Sequence, residues 1–379
     1  PPPASRRLVG PPGWRSPPRA PAPARRTAGR AVRRLRVRSR LGLAKGLRFR
    51  RLFRVTRTIL TASRLYGASP FSVWRRVLLA SRLGYRLDQA RRIGLLDPAL
   101  PAEAIAEEFL SSGRLLELQL RLDPLPLTRL VHDKALFQVA CELAGLPVPC
   151  LCCVLYRDAP GWAVDGSSPL TRADWAGAFE RMLPSEFVVK PALGDFGDGI
   201  RFFERHGATY RESENLYDGA TDLYDSLVKS PVAADGFVVQ ERLRNHPFLT
   251  ELSGSETLQT FRMITLVDRT NHARLITVEW KVVTGDALID NFHDGATGNG
   301  LMLVDHVAGT LQGPLVLAGS EGLGFIAAQR HPRTGRILDG VQLPVWEETV
   351  ELVLRAARAF GKLQALDGLA IQNVRPVGG

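Results

Sequence analysis

From Asp133 onward the apolar positions come in short runs separated by polar and glycine breaks, and the runs switch between helical and strand character. Asp133 is placed as an N-cap, and the helix it opens meets Gly145, Pro147 and Pro149 as stop signals. A strand over Leu151–Tyr156, a helix over Thr171–Arg181 and a strand over Glu186–Pro191 are predicted next. The turn Gly194-Asp195-Phe196-Gly197-Asp198-Gly199 then leads into a further strand from Ile200. A helix near Asn215–Lys229 and a strand over Gly236–Glu241 follow. Phe261–Val267 and Ala273–Val283 read as paired long strands around a turn at Asp268–Asn271. Val350, Val353, Leu354, Ala357, Phe360 and Leu363 recur at helical spacing and predict a last helix from Trp346 to Leu366.

Upstream the pattern is different. Asp88 to about Leu127 reads as short helices broken at Pro98, Pro101 and Pro124. Residues 31–86 alternate arginine with Leu, Val and Phe, as basic amphipathic helices would. Nine prolines fall in the first 23 positions, and residues 1–30 hold almost nothing to bury, so this stretch is expected to be disordered. It reads as a fragment end or a translated upstream region, or else as an organelle targeting segment.

Charge sharpens that division. The whole chain carries +12, but no Asp or Glu precedes Asp88, and residues 1–87 hold 23 Lys and Arg. The remaining residues hold 27 Lys and Arg against 38 acids, a balance of −11, so a basic leader precedes an acidic body. A solvated helical extension, or contact with a membrane surface or a protein through 31–86, accounts for the leader. No nucleic-acid motif accompanies the charge, which argues against that partner. No run of 18 uncharged apolar residues occurs, so a spanning helix is not expected; the location expected is cytoplasmic, with peripheral membrane attachment left open. Cys141, Cys150, Cys152 and Cys153 lie close together without a second cysteine pair or a histidine cluster, and read as reduced thiols rather than a zinc site.

The chemistry concentrates at Lys190. A strand delivers this lysine at its end, and three glycines, Gly194, Gly197 and Gly199, follow at once. Glycines let the backbone approach a ligand and aim N–H groups at it, and a lysine beside them suits a phosphate. No Gly-Lys-Ser/Thr is present, so this is not a Walker A loop, and a plain β-turn remains the alternative.

The order of several phrases resembles the ATP-grasp superfamily, most of all the sugar-transfer-associated or alpha-L-glutamate ligase-related branch. The phrases are DKALFQVACELAGLPVP from Asp133, VVKPALGDFGDGI from Val188, TFRMIT from Thr260, IDNFHDG from Ile289, HPRTG from His331 and LPVWEETVELVLRAA from Leu343. The resemblance covers roughly residues 70–372. It implies an α+β fold in which two subdomains clamp ATP between sheets, here over 131–238 and 239–379, after a disordered leader (1–30) and a helical pre-domain (31–130). It also implies ATP-dependent ligation of a carboxylate to an amine or thiol through an acylphosphate, with ATP and Mg2+ bound and a sugar- or polymer-linked substrate.

By that resemblance Lys134 and Lys190 would contact nucleotide phosphates, and the loop with Gly194, Gly197 and Gly199 would close over them. Gln240, Glu241 and Leu243 would hold adenine and ribose. Arg262, with Lys190, would neutralise charge during transfer. Asp290 and Asn291 would face phosphates or magnesium, and Asp367 would be a late metal ligand. Each has a plainer reading: Lys190, Lys134 and Glu241 as surface charges, Arg262 as the partner of Glu279, and Asp290-Asn291 as a self-bonded turn. His293 and His331 read as structural or exposed, and His246 is undecided.

Two features depart from the family. Gly295-Ala296 stands where a Gly-Gly pair is usual, with Gly298 and Gly300 nearby. More seriously, Asp367 in Leu366-Asp367-Gly368-Leu369-Ala370-Ile371 sits one place out of register, and no Glu-x-Asn follows. Asn373 cannot replace two carboxylates. The expectation is a C-terminally truncated or frameshifted ligase, and the other reading is a non-catalytic nucleotide-binding or scaffold module.

Overall fold

A computed structural model describes residues 52–107, 109, 111–123, 125–194, 197–361 and 365–370. The chain divides into two units, Pro1–Arg57 and Thr58–Gly379, and of the first only 52–57 are described. The expectation for residues 1–30 lies outside the described residues, as does the part of the basic stretch before residue 52.

The helical region consists of α1 (52–65), α2 (Pro70–Arg82), α3 (Leu87–Arg92), α4 (Ala102–Glu107), α5 (Ser112–Leu122) and α6 (Leu125–His132). Short polar caps start these helices: Ser69 accepts from the Ser72 N–H ahead of α2, and Ser111 from the Arg114 N–H ahead of α5. Ala62, Val73, Ala80, Leu95, Leu96 and Ile105 form a common core for α1 to α4, together with Leu323 from far along the chain.

Next comes α7 (Lys134–Leu143), capped by Asp133, whose carboxylate accepts from the Ala135 and Leu136 N–H groups. The strands β1 (Leu151–Leu155), β2 (Trp162–Ala163), β3 (Glu186–Pro191), β4 (Arg201–His206), β5 (Thr209–Glu212), β6 (Asn215–Tyr217) and β7 (Phe237–Glu241) form one sheet. It is antiparallel throughout, in the order β2-β1-β7-β3-β4-β5-β6. The helices α8 (Arg172–Met182) and α9 (Ala220–Val228) cover one face, burying Phe187, Val189, Phe203, Phe237 and Val239 against Trp175, Phe179 and Leu223. Strand alternation turns Val188, Lys190, Val238 and Gln240 to the other face, where Ala135 of α7 packs with Val238 and Ala192.

The second sheet holds β8 (Phe261–Val267), β9 (Ala273–Val282), β10 (Gly300–Val304), β11 (Leu311–Ala318), β12 (Phe325–Ala328) and β13 (Ala365–Ala370), in the order β12-β11-β10-β9-β8-β13. Again every pairing is antiparallel. Phe261, Met263, Val278, Trp280 and Met302 face α10 (Pro247–Ser253) and α11 (Trp346–Ala359) across a core with Leu249, Leu252 and Val353. The opposite face carries Arg262, Ile264, Thr277, Glu279 and Lys281, none of them buried. Helices plus two antiparallel sheets make the expected α+β class.

Two expected elements need correction. Asn215–Tyr217 is a strand, not the start of a helix; Leu216 pairs with Arg211 and Tyr217 with Tyr210, and α9 starts only after Gly219. The last helix stops at Ala359 rather than running to Leu366. Gly361 lies so close to Asn271 that a Cβ there would stand 2.1 Å from the Asn271 Oδ1, and β13 begins at Ala365. Leu363 lies outside the described residues.

Candidate phosphate site and its surroundings

The end of β3 and the start of α7 are fastened together. The Lys134 N–H donates to the Ala192 carbonyl at 3.0 Å, and the Lys134 Nζ donates to the Gly194 carbonyl at 2.6 Å. Lys190 stands opposite Val238 on the same sheet face that α7 covers. Burial, with the Lys134 ammonium as a second cause, pushes the Lys190 ammonium down to about 8. Among the described residues no acid pairs with Lys190. Two like charges placed together, one of them desolvated, are costly unless an anion joins them, so the residues present fit a phosphate.

The loop after Lys190 has the backbone freedom such a ligand needs. Gly194, Gly197 and Gly199 all adopt positive φ, at 137°, 81° and 75°. At two of them neighbours also lie close. A Cβ at Gly199 would lie 3.0 Å from the Pro191 side chain, and one at Gly197 only 2.8 Å from the Ile289 Cδ1. That second contact brings the loop against the segment that carries Asp290 and Asn291. Asp195 and Phe196 lie outside the described residues.

The 289–291 segment is held by residues that sequence reasoning did not single out. Asp290 Oδ2 accepts from the Thr260 N–H at 2.7 Å and from the Thr260 hydroxyl at 2.5 Å. Burial pushes the Asp290 carboxyl above its ordinary range, although Lys281 and the Thr260 hydrogen bonds act the other way. Asn299 is 1% exposed and its Nδ2 donates to the carbonyls of both Ile289 and Asn291, at 2.9 and 3.1 Å. The Asn291 Oδ1 accepts from the His293 N–H at 3.3 Å. His293 itself is held at φ 44°, and its carbonyl accepts from the Arg92 Nη1 at 3.2 Å, so α3 reaches this segment.

The other expected site residues fall into three places. Arg262 stands opposite Glu279 on one side and Leu369 on the other, on the open face of the second sheet with Lys281. Asp367 stands opposite Ile264, and two-residue alternation puts its position on that same face. Gln240 and Glu241 sit on the strand between β1 and β3. Gln240 is buried and donates to the Gln138 Oε1, while the Glu241 Oε1 accepts from the Cys150 N–H at 2.9 Å. Leu243, just beyond, is half-buried.

Three histidines resolve into structural roles. His246 caps α10 through its Nδ1, which accepts from the Phe248 N–H. His331 is buried, its Nε2 3.1 Å from the Val283 carbonyl, and its Nδ1 accepts from the Arg333 and Thr334 N–H groups. Exposed His293 forms part of the turn just described. The four cysteines are free thiols; burial pushes Cys141 and Cys152 up to about 11.

Asp290 has one oxygen taken up by Thr260, and among the described residues no three His, Cys, Asp or Glu groups converge on a point. Magnesium held beside phosphates takes only one or two protein carboxylates, and Asp290 is a carboxylate of that kind.

The sugar-transfer associated ATP-grasp family matches residues 114–372, more than half of the chain. The chain belongs to this family. ATP-grasp is therefore its fold, and the two antiparallel sheets described above are its two sheets. No curated protein matches the chain in sequence. Among solved structures, it is similar to N5-carboxyaminoimidazole ribonucleotide synthetase in its ADP complex, at 12% identity over 53% of this chain and 45% of that chain (TM-score 0.26). It is similar to biotin carboxylase from Campylobacter jejuni in a β-γ-ATP complex, at 13% identity over 65% and 50% (TM-score 0.27). It is also similar to L-amino acid ligase from Bacillus licheniformis, at 14% identity over 71% and 55% (TM-score 0.27). The chain spans about half the length of each of these three. Among the described residues no helix is long and apolar enough to cross a membrane.

Proposed function

We propose that the chain binds ATP between its two sheets and acts in ATP-dependent ligation of a carboxylate to an amine or thiol, on a sugar- or polymer-linked substrate. The observation that carries this reading is Lys190: a desolvated ammonium beside a second lysine, at the foot of a three-glycine loop, with no acid paired to it among the described residues. When bound, ATP supplies its γ-phosphoryl group to the carboxylate. The acylphosphate so formed loses phosphate when the nucleophile attacks.

The protein's own contribution is placement and charge. Lys134 and Lys190 would balance phosphate oxygens, and the left-handed glycines would bring backbone N–H groups to them. Arg262 and Lys281 would face the transferring group from the second sheet. Phosphoryl transfer asks for such positioning more than for covalent help. Gln240, Glu241 and Leu243 would line the adenine and ribose end. Of these, Gln240 and Glu241 reach it through backbone, since their side chains already hold α7 and β1.

A second reading is a non-catalytic ATP-binding or scaffold module. An ADP-release screen over carboxylate and amine pairs separates the two. Release that depends on an added carboxylate supports the ligase. Saturable ATP binding without release from any pair supports the module.

A further inference from the structure

The helix α2 has two apolar faces, and the core uses only one of them. Val73 and Ala80 are at most 2% exposed and face the helical core. On the opposite side Phe71, Trp74 and Leu78 are 66%, 43% and 38% exposed. Spacings of three, four and seven residues put them on one stripe, and Arg75 and Arg82 fall on the same stripe. The Phe71 and Trp74 rings stack, with centroids 5.7 Å apart. Residues 58–87 contain five arginines and no acid.

We infer that this face of α2 docks on an anionic lipid bilayer, a property independent of the nucleotide reading. The composition is what an interfacial helix requires. Large aromatic and aliphatic groups sink to the boundary between headgroups and acyl chains. Arginines among them lay their stems along the apolar surface and lift their guanidinium groups to the phosphates. Trp in particular favours that depth. The arginines of this stretch, with no acid among them, complement an anionic surface. At 13 residues the helix is too short to span a bilayer and would lie in the interface plane. The packed inner face fixes the orientation, so docking needs no refolding of the core.

The test uses the full chain with vesicles of phosphatidylcholine, alone or mixed with phosphatidylglycerol. The first probe is a Phe71→Ser/Trp74→Ser/Leu78→Ser variant, which keeps every charge, and circular dichroism and the thermal midpoint confirm its fold. The wild-type chain should co-sediment with the anionic vesicles at least about tenfold more strongly than with the neutral ones, and the variant should lose most of that binding. Trp74 should be quenched by brominated lipid, and a Trp74→Phe variant should lose that quenching. Equal binding of the serine variant overturns the proposal and assigns attachment to the arginine-rich segment upstream. Equal binding to neutral vesicles, or no binding, also overturns it. So does an oligomer that the serine variant abolishes without any vesicle binding, which would make the face a protein contact.

Discussion

The ammonium of Lys134 stands 2.6 Å from the carbonyl oxygen of Gly194, sixty residues further along, and this bond ties the first turn of α7 to the foot of the glycine loop. The same lysine also lowers the proton affinity of Lys190. Lys134 is therefore placed both to shape the loop and to charge the site. Lys134→Ala should weaken ATP binding by roughly ten- to a hundredfold, the range of a hydrogen bond to a charged group at about 1.5–3 kcal/mol. Isothermal titration calorimetry measures this. An unchanged Kd would remove Lys134 from the site.

The half-buried, partly desolvated ammonium of Lys190 makes a pH-dependent prediction. Its folded value of about 8 lies below the ordinary 10.5, so between those two pH values the unfolded chain binds more protons than the folded one. Stability of the ligand-free protein should rise with pH across that window. Phosphate should pull the value back up, so ATP binding near pH 8 should take up a proton, and affinity should fall as pH rises beyond it. Calorimetry in two buffers of different ionisation enthalpy reads the proton uptake directly. Zero uptake would mean that Lys190 does not meet the phosphates.

Asp290 does two things at once: it holds Thr260 through one oxygen and brings negative charge beside Lys281. Asp290→Ala leaves the Thr260 N–H and hydroxyl without that acceptor and should cost about 1–3 kcal/mol in denaturant unfolding. Asp290→Asn retains a carbonyl oxygen for the Thr260 N–H. It should stay close to wild-type stability, since it also relieves the burial of a charge. Because burial raises the Asp290 carboxyl, its ionised form opposes folding, and the Asn variant should lose the part of the stability gain on acidification that this group supplies.

Arg92 reaches His293 across 201 positions of sequence, and its neighbour Arg91 donates to the carbonyl of Glu321. Both acceptor residues hold positive φ, at 44° and 54°, a conformation that persists only when its surroundings impose it. Arg92→Ala should release the 291–297 turn. Amide exchange there should accelerate and ATP affinity should drop severalfold, while the thermal midpoint moves little. Exchange confined to wild-type rates would show that the turn holds itself.

These contacts also mark the limit of what the sequence made legible. Signals that act within a few residues were readable: the Asp133 cap, the six residues of β3, the glycine loop and the hairpin of β8 and β9. The order of the phrases identified the α+β fold and its family because six weak matches in one order are jointly specific. Thr260, Asn299 and Arg92 carried no local signal, because their importance lies in carbonyls and carboxylates far along the chain. The same physics hid the limits of α9 and α11. Leu216 and Tyr217 satisfy a helical pattern but find strand partners, and α11 ends two residues before Gly361 passes close to Asn271. The bonds from the Gln240 and Glu241 side chains to Gln138 and Cys150 likewise join distant segments and carried no local signal.

The most direct test of the account is calorimetric titration of ATP into the wild-type chain and a Lys190→Met variant, with thermal unfolding of both. Met fills the space of the lysine stem without its charge. The account predicts saturable binding in the wild type and a loss of at least about tenfold in the variant. It also predicts that the ligand-free variant unfolds at the same or a higher temperature, since a desolvated charge has been removed. Equal affinity in both chains, or no ATP binding by the wild type, would contradict it.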